Sequence, residues 1–310
     1  MRFAVIGAGA VGGVFGARLI VAGHDVTFVA RGTTLNVLRT EGLTLESVHG
    51  NVHLPSVQVT DDPATIGTVD VVLVGVKATQ VAAIAPSLRP LLAPHTAVIP
   101  LQNGVEASVL LARELGDAHV LEGVCRVIAG QSAPGRIRHM AVVPHLEFGV
   151  RAGHPPAAAV GGAIPSIADA INGAGMQALV SADMAVALWE KFLFIEPIGL
   201  VCAAADESFG TVRSVPETRA LVDAALDEVI AVGRHVGVEW PADAKANVWK
   251  RYDSLPPDER TSMARDLEAR RPSEFDAQTG AVVRLGQAHG VATPVHDVLR
   301  ALLLPRVVVA

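Results

Sequence analysis

Arg2-Phe3-Ala4-Val5-Ile6-Gly7-Ala8-Gly9-Ala10-Val11-Gly12 decides how the first half of this 310-residue chain is read. The apolar run at 3–6 has the character of a buried parallel strand, and the glycines fall where such a strand must turn into a helix. At this spacing Gly7 permits the tight turn, Gly9 lets the backbone approach a pyrophosphate, and Gly12 lets the following helix pack close to the sheet. The free N–H groups of that helix start, with the positive end of its dipole, suit phosphate oxygens. A helical pattern over 14–22, then Gly23, then a second strand over 25–30 follow. That context separates a dinucleotide-binding loop from an ordinary glycine-rich turn.

The tip of the second strand bears on which dinucleotide. Chains that bind NAD place Asp or Glu there, about 20 residues past the glycines, to accept hydrogen bonds from the ribose 2′-hydroxyl. Here the strand ends Phe28-Val29-Ala30-Arg31-Gly32, with no acid at its tip. Arg31 offers a planar fork of donors that matches a 2′-phosphate. NADPH is therefore favoured over NADH.

Half of the residues are hydrophobic, and the length suits two domains of ordinary size. A net charge of −6, a pI near 6.0 and the lack of any Lys/Arg-rich block argue against a nucleic-acid partner. Cys125 and Cys202 lie far apart and fit no metal-ligand spacing. No metal site is expected, and so few cysteines suit a reducing compartment. The apolar N-terminal stretch is interrupted by Arg18, unlike a signal peptide. The longest apolar stretch, 192–205, contains Glu196 and Pro197 and is too short to span a bilayer. The expectation is a soluble, cytoplasmic protein that binds no membrane.

Strand and helix patterns alternate through the first half, which implies a parallel sheet with right-handed crossovers. Weak strand signals at 43–45 and 52–59 precede an almost purely apolar strand over 69–76 that ends at Lys77. A helix over 80–92 and a strand over 97–101 follow, the latter ending at Gln102-Asn103-Gly104. Strand character returns at 120–128 and 146–150 around a hairpin region at 130–139, and 153–162 reads as a surface loop before a helix. From 182 the spacing becomes helical, over 182–205, 217–236, 241–252, 275–289 and 294–303. The chain thus reads as an α/β dinucleotide-binding domain over 1–181 followed by an all-α domain over 182–310.

Ligands collect outside the carboxyl ends of the strands in such a sheet, which puts Lys77 and Asn103 at the cofactor side. Taken alone, Lys77 is equally a solvated lysine after a strand, and Asn103-Gly104 equally a turn. Lys191 lies in Ala187-Leu188-Trp189-Glu190-Lys191-Phe192-Leu193-Phe194-Ile195, apolar nearly all round. A lysine on such a helix either snorkels or is held for a purpose, such as protonating a developing alkoxide. The stretches 261–266 and 273–276 read first as a helix start and a helix cap.

Taken together, several short motifs in order resemble the ketopantoate reductase (2-dehydropantoate 2-reductase) family over essentially the whole chain. They are the glycine loop, Val76-Lys77-Ala78-Thr79-Gln80, Gln102-Asn103-Gly104, Leu188-Trp189-Glu190-Lys191, Ser262-Met263-Ala264-Arg265-Asp266, Glu274-Phe275-Asp276 and the run from His289 to Pro294. The resemblance implies a Rossmann-type domain followed by a helical domain, with the active site in the cleft between them. It also implies NADPH-dependent reduction of a 2-keto acid to a 2-hydroxy acid, within pantothenate biosynthesis. By position, Lys191 is then the catalytic general acid at the carbonyl and touches substrate. Asn103 lies near nicotinamide and substrate, and Ser262 binds substrate. Gly7, Gly9, Ala10, Val11, Gly12, Arg31, Lys77 and Glu274 contact the cofactor.

One departure stands out. The family pattern has asparagines four and eight residues after the lysine, and this chain has Ile195 and Gly199. Those positions share a helix face with Lys191, so the wall beside the lysine is apolar. Each substrate oxygen left without a partner costs roughly 1–3 kcal/mol, enough to shift substrate choice toward more apolar keto acids. Restoring both asparagines is expected to favour ketopantoate again. Glu196, next to Pro197, is an ionisable group in an apolar stretch; pointing out of the helix is one reading, and the sequence leaves its role open. The rival readings are an NADPH sensor without turnover and a hydroxy-acid dehydrogenase of different substrate. The apolar segment 302–310 suits packing on a neighbouring element or against a second subunit, the latter as in a homodimer.

Overall fold

The computed structural model describes residues 1–307 and divides into two compact units. One comprises Met1–Gln102 and Ala107–Met184; the other comprises Asn103–Glu106 and the chain from Ala185 onward.

The first unit is built on β1 (Arg2–Ile6), the centre of a five-stranded sheet. Its partners are β2 (Asp25–Val29), β5 (Gln58–Thr60), β6 (Val71–Val74) and β7 (Ala97–Pro100), in the order β5-β2-β1-β6-β7. Every pairing is parallel; Ile6 lies opposite Val29 on one side and Val74 on the other. All carboxyl ends therefore meet at one edge. Each residue of β6 and β7 is buried, as a parallel sheet covered on both faces requires.

A second sheet runs β10-β9-β3-β4, with β8 paired to β9. Here β3 is Leu43–Ser47, β4 Val52–Leu54, β8 Glu122–Ala133, β9 Arg136–Gly149 and β10 Gln177–Val180. The stretch read as one signal over 52–59 is thus two strands in different sheets. The hairpin region at 130–139 is mostly strand, its turn confined to Pro134-Gly135, where Gly135 has φ +70°. Helix α1 (Ala10–Val21) packs against both sheets. A Cβ on Gly13 would stand 1.9 Å from Ile137 of β9, and one on Gly16 2.4 Å from Phe28 of β2. Helices α2 (Gly32–Thr40), α3 (Val81–Ile84), α4 (Ala107–Leu115) and α5 (Ala158–Gly173) complete the unit. The helix expected over 80–92 is only the single turn α3 between 3₁₀ turns at Ala78–Gln80 and Ala85–Leu91. Pro86 and Pro90 remove the donors that a continuous helix needs.

The second unit is helical: α6 (Met184–Ala205), α7 (Phe209–Ser214), α8 (Pro216–His235), α9 (Ala244–Ser254), α10 (Ser262–Glu268), α11 (Ala281–His289) and α12 (Pro294–Leu303). A π-turn, Asp276–Gly280, leads into α11 where the sequence reads as one helix from 275. The short α7 carried no periodic signal. Among the described residues no helix is long and apolar enough to cross a membrane.

Candidate active site

At the carboxyl edge of the parallel sheet, β1 runs into Gly7, whose φ of +96° suits glycine. Its N–H donates to the Val29 carbonyl at 2.9 Å, and the Gly75 N–H donates to Ile6 at 2.7 Å. Those bonds bring the glycine loop, the tip of β2 and the tip of β6 to one edge. Gly12 is forced by contact, since a Cβ there would stand 2.1 Å from the Gly7 carbonyl oxygen.

Several features fit a dinucleotide. A Cβ on Gly9 would have no heavy atom within 4 Å. Helix α1 has no side-chain cap and no acid in its first turn, and the N–H groups of Ala10, Val11 and Gly12 precede the first intrahelical bond, from Gly13 to the Gly9 carbonyl at 2.8 Å. Anionic oxygens suit such a helix start. Arg31, at the N-cap of α2, is exposed. Lys77 is exposed at the start of the 3₁₀ turn after β6. Gln102 is buried, its amide donating to the Val74 and Val76 carbonyls at 2.8 Å each. Its Oε1 is also buried, with no partner among the described residues, so it can accept from a ligand.

In the helical unit, Asn103 and Glu274 are brought together: Asn103 Nδ2 donates to Glu274 Oε2 at 2.8 Å. A second tie, Arg284 to Glu106 at 2.6 Å and to Asp276 at 2.8 Å, holds the same short segment. These bonds account for the grouping of Asn103–Glu106 with the helices, which no local sequence signal indicates. Gly104 (φ +97°) fits against Ala277, whose carbonyl oxygen would lie 2.4 Å from a Cβ. Lys191 is half-buried on α6 between the buried Trp189 and Phe192. Ser262 is the exposed first residue of α10, preceded by Thr261, whose hydroxyl accepts from the Ala264 N–H at 3.2 Å.

Family models for "Ketopantoate reductase PanE/ApbA" and its "C terminal" part match residues 3–153 and 183–306. A 2-dehydropantoate 2-reductase of Mycobacterium tuberculosis is 31% identical, over 97% of this chain and 96% of its own length. The chain belongs to the ketopantoate reductase family. A 2-dehydropantoate 2-reductase of Mesorhizobium japonicum is 29% identical over 98% of this chain and 97% of its own length. The crystal structure of a 2-dehydropantoate 2-reductase from Geobacter metallireducens superposes with a TM-score of 0.88 at 28% identity, covering 98% of this chain and 99% of that one.

Of the two positions after Lys191 that depart from the expected asparagines, Gly199 has a packing partner. Ile195 is half-buried, and Gly199 is packed against the start of α10. A Cβ at 199 would meet the Thr261 Oγ1 at 2.8 Å and its Cγ2 at 3.0 Å. Thr261 thus fills the room an asparagine would need, so the double asparagine restoration cannot be made without moving α10.

Glu196, whose role the sequence leaves open, has a definite place. It does not point outward: it is wholly buried and hydrogen-bonded to Thr279 and His296, both at 2.8 Å. Neither Thr279, His296 nor its further partner Glu228 was anticipated. The available signal was local: the positions three and four away from Glu196 on its helix face are Phe192, Leu193, Gly199 and Leu200, all without a polar side chain and all buried.

Proposed function

We propose that this chain reduces a 2-keto acid to the 2-hydroxy acid at the expense of NADPH, with Lys191 as the proton donor. What supports this most is the Asn103–Glu274 hydrogen bond, 2.8 Å across 171 positions, joining two motifs that the sequence offers separately. The helix start at Ala10, Val11 and Gly12 holds the pyrophosphate, and Arg31 grips the 2′-phosphate. Lys77 and Glu274 add cofactor contacts. When bound, NADPH supplies a hydride to the carbonyl carbon. Lys191 gives its proton to the carbonyl oxygen as the π electrons move onto it, and Ser262 holds the carboxylate. Asn103, oriented by Glu274, faces substrate and nicotinamide. Oriented groups of this kind lower the barrier by positioning, before any contribution from proton transfer.

The substrate is 2-dehydropantoate or a more apolar relative. Ile195 favours the second, since a polar substrate arm would lack a partner beside it, and Thr261 takes up room at Gly199. A cytoplasmic homodimer completes the proposal. Its support is the exposed apolar residues Val298, Leu302 and Leu304; the last part of the segment, 308–310, lies outside the described residues. The test is loss of reduced nicotinamide with ketopantoate beside a panel of apolar 2-keto acids. Turnover on any of them supports the reading. NADPH binding without turnover on all of them replaces it with the sensor reading.

A further inference from the structure

Helix α6 carries Lys191 and, further along, Pro197. Proline has no N–H to donate to the carbonyl four residues earlier, so the turn after Lys191 is weakened. The wholly buried Tyr252 answers this, its hydroxyl lying 3.3 Å from the Leu193 carbonyl and 2.8 Å from that of Phe194.

The neighbouring Glu196 is anchored at both oxygens. Oε1 accepts from the Thr279 hydroxyl at 2.8 Å, and Oε2 lies 2.8 Å from His296 Nε2. His296 Nδ1 lies 2.5 Å from Glu228 Oε2. Both ring nitrogens face carboxylates, so both carry protons and the ring is an imidazolium. Burial opposes that charge, but Glu196 and Glu228 outweigh it and raise the pKa to about 9. Glu228 also accepts from the Val295 and His296 N–H groups at 2.7 and 3.1 Å, at the start of α12, where the helix dipole favours an anion.

Thr279 lies in the π-turn that follows Glu274, and Gln278 N–H donates back to the Glu274 carbonyl at 3.0 Å. Glu196 therefore ties the weakened part of the lysine helix to the turn that presents Glu274. We propose that Glu196, held by His296 and Thr279, is a positioning residue that sets where Lys191 stands relative to the Asn103–Glu274 pair. This rests on the reading of Lys191 as proton donor. Buried charge networks seldom out-stabilise a well-packed apolar core, whereas they do fix one geometry among near alternatives. A lysine beside a proline-interrupted turn needs such fixing.

The test uses Thr279→Val, which removes one hydroxyl at nearly constant volume, and Thr279→Ser, which keeps it; Glu196→Gln is a second disruption. For each folded variant, NADPH affinity, KM and kcat are measured, together with the acetylation rate of Lys191 by acetic anhydride relative to Lys250. In Thr279→Val and Glu196→Gln, kcat is expected to fall roughly 10- to 100-fold while NADPH affinity and KM stay within about twofold. The Lys191 labelling ratio shifts, and Thr279→Ser restores both quantities. Unchanged kcat and labelling with only a lower melting temperature overturns the proposal, leaving a stabilising cluster. If the wild type reduces no 2-keto acid, the proposed function fails, and the labelling ratio alone decides this inference.

Discussion

A Cβ at Gly9 would have open space for 4 Å, whereas one at Gly199 would stand 2.8 Å from the Thr261 hydroxyl. The first glycine keeps room at a helix start; the second lets a neighbouring side chain fill the room. The same contrast separates the two units. In the strand-and-helix unit the candidate groups are backbone N–H groups, an exposed arginine and an unpartnered Gln102 oxygen, which a ligand must complete. In the helical unit the candidate groups are already tied to each other, Asn103 to Glu274 and Glu196 to Thr279 and His296. On the proposed function, backbone donors that serve any pyrophosphate leave the first unit to bind cofactor, and the prearranged side chains of the helical unit set proton transfer and substrate choice.

The largest effect that separates the two is expected at the glycine loop. Gly9→Val projects into open space, so the protein keeps its melting temperature and loses measurable NADPH binding. Normal binding by that variant would make the loop a mere turn. Gly12→Ala fails in the opposite way, through folding, because its Cβ meets the Gly7 carbonyl at 2.1 Å. Next comes Arg31→Ala, with a loss of about 1.5–3 kcal/mol in NADPH affinity and little in NADH affinity. Equal losses for both would remove the 2′-phosphate assignment.

A smaller change is expected at the pocket wall. Ile195→Asn raises kcat/KM for ketopantoate relative to an apolar keto acid by roughly tenfold, the scale of one recovered polar contact. An unchanged ranking would place position 195 off the substrate. Gly199→Asn by itself instead displaces Thr261 and lowers stability.

The smallest effects are in pH dependence, and they fall in different windows for the two units. In the first unit, burial pushes Glu122 up from 4.5 to about 7, only partly offset by the Ser108 hydroxyl at 2.7 Å. A folded pKa above the unfolded one means stability present at low pH and lost as pH rises, here between 4.5 and about 7. His296 in the helical unit has the same sign, with loss between 6.5 and about 9. Melting temperature should drop by roughly 2–4 °C per kcal/mol lost. His296→Gln should erase the upper window and leave the lower one, and persistence of the upper window would assign it to another group.

The dinucleotide loop was legible because its meaning lies in one contiguous dozen residues and the elements on either side. The interrupted helix over 80–92 was legible too, had Pro86 and Pro90 been weighed against the apolar spacing. The helical unit was legible as helices, but its site was visible only through family motifs. Asn103 meets Glu274 across 171 positions, and Glu196 meets His296 across 100. No periodicity reports such partners. Glu196 stayed open because an acid in an apolar run is usually solvated; its own face of the helix, with Phe192, Leu193, Gly199 and Leu200 all buried, decides the matter. Gly199 read as a lost contact, whereas its space belongs to Thr261, a residue distant in sequence.

The central claim is that the helical unit does the chemistry while the other unit supplies the pyrophosphate and 2′-phosphate contacts. Lys191→Ala tests it most directly, with NADPH affinity and kcat measured on the same preparation. The account predicts near-normal affinity and a kcat lower by roughly 10²-fold or more, the scale of a positioned general acid. Near-normal turnover on the true substrate would contradict it.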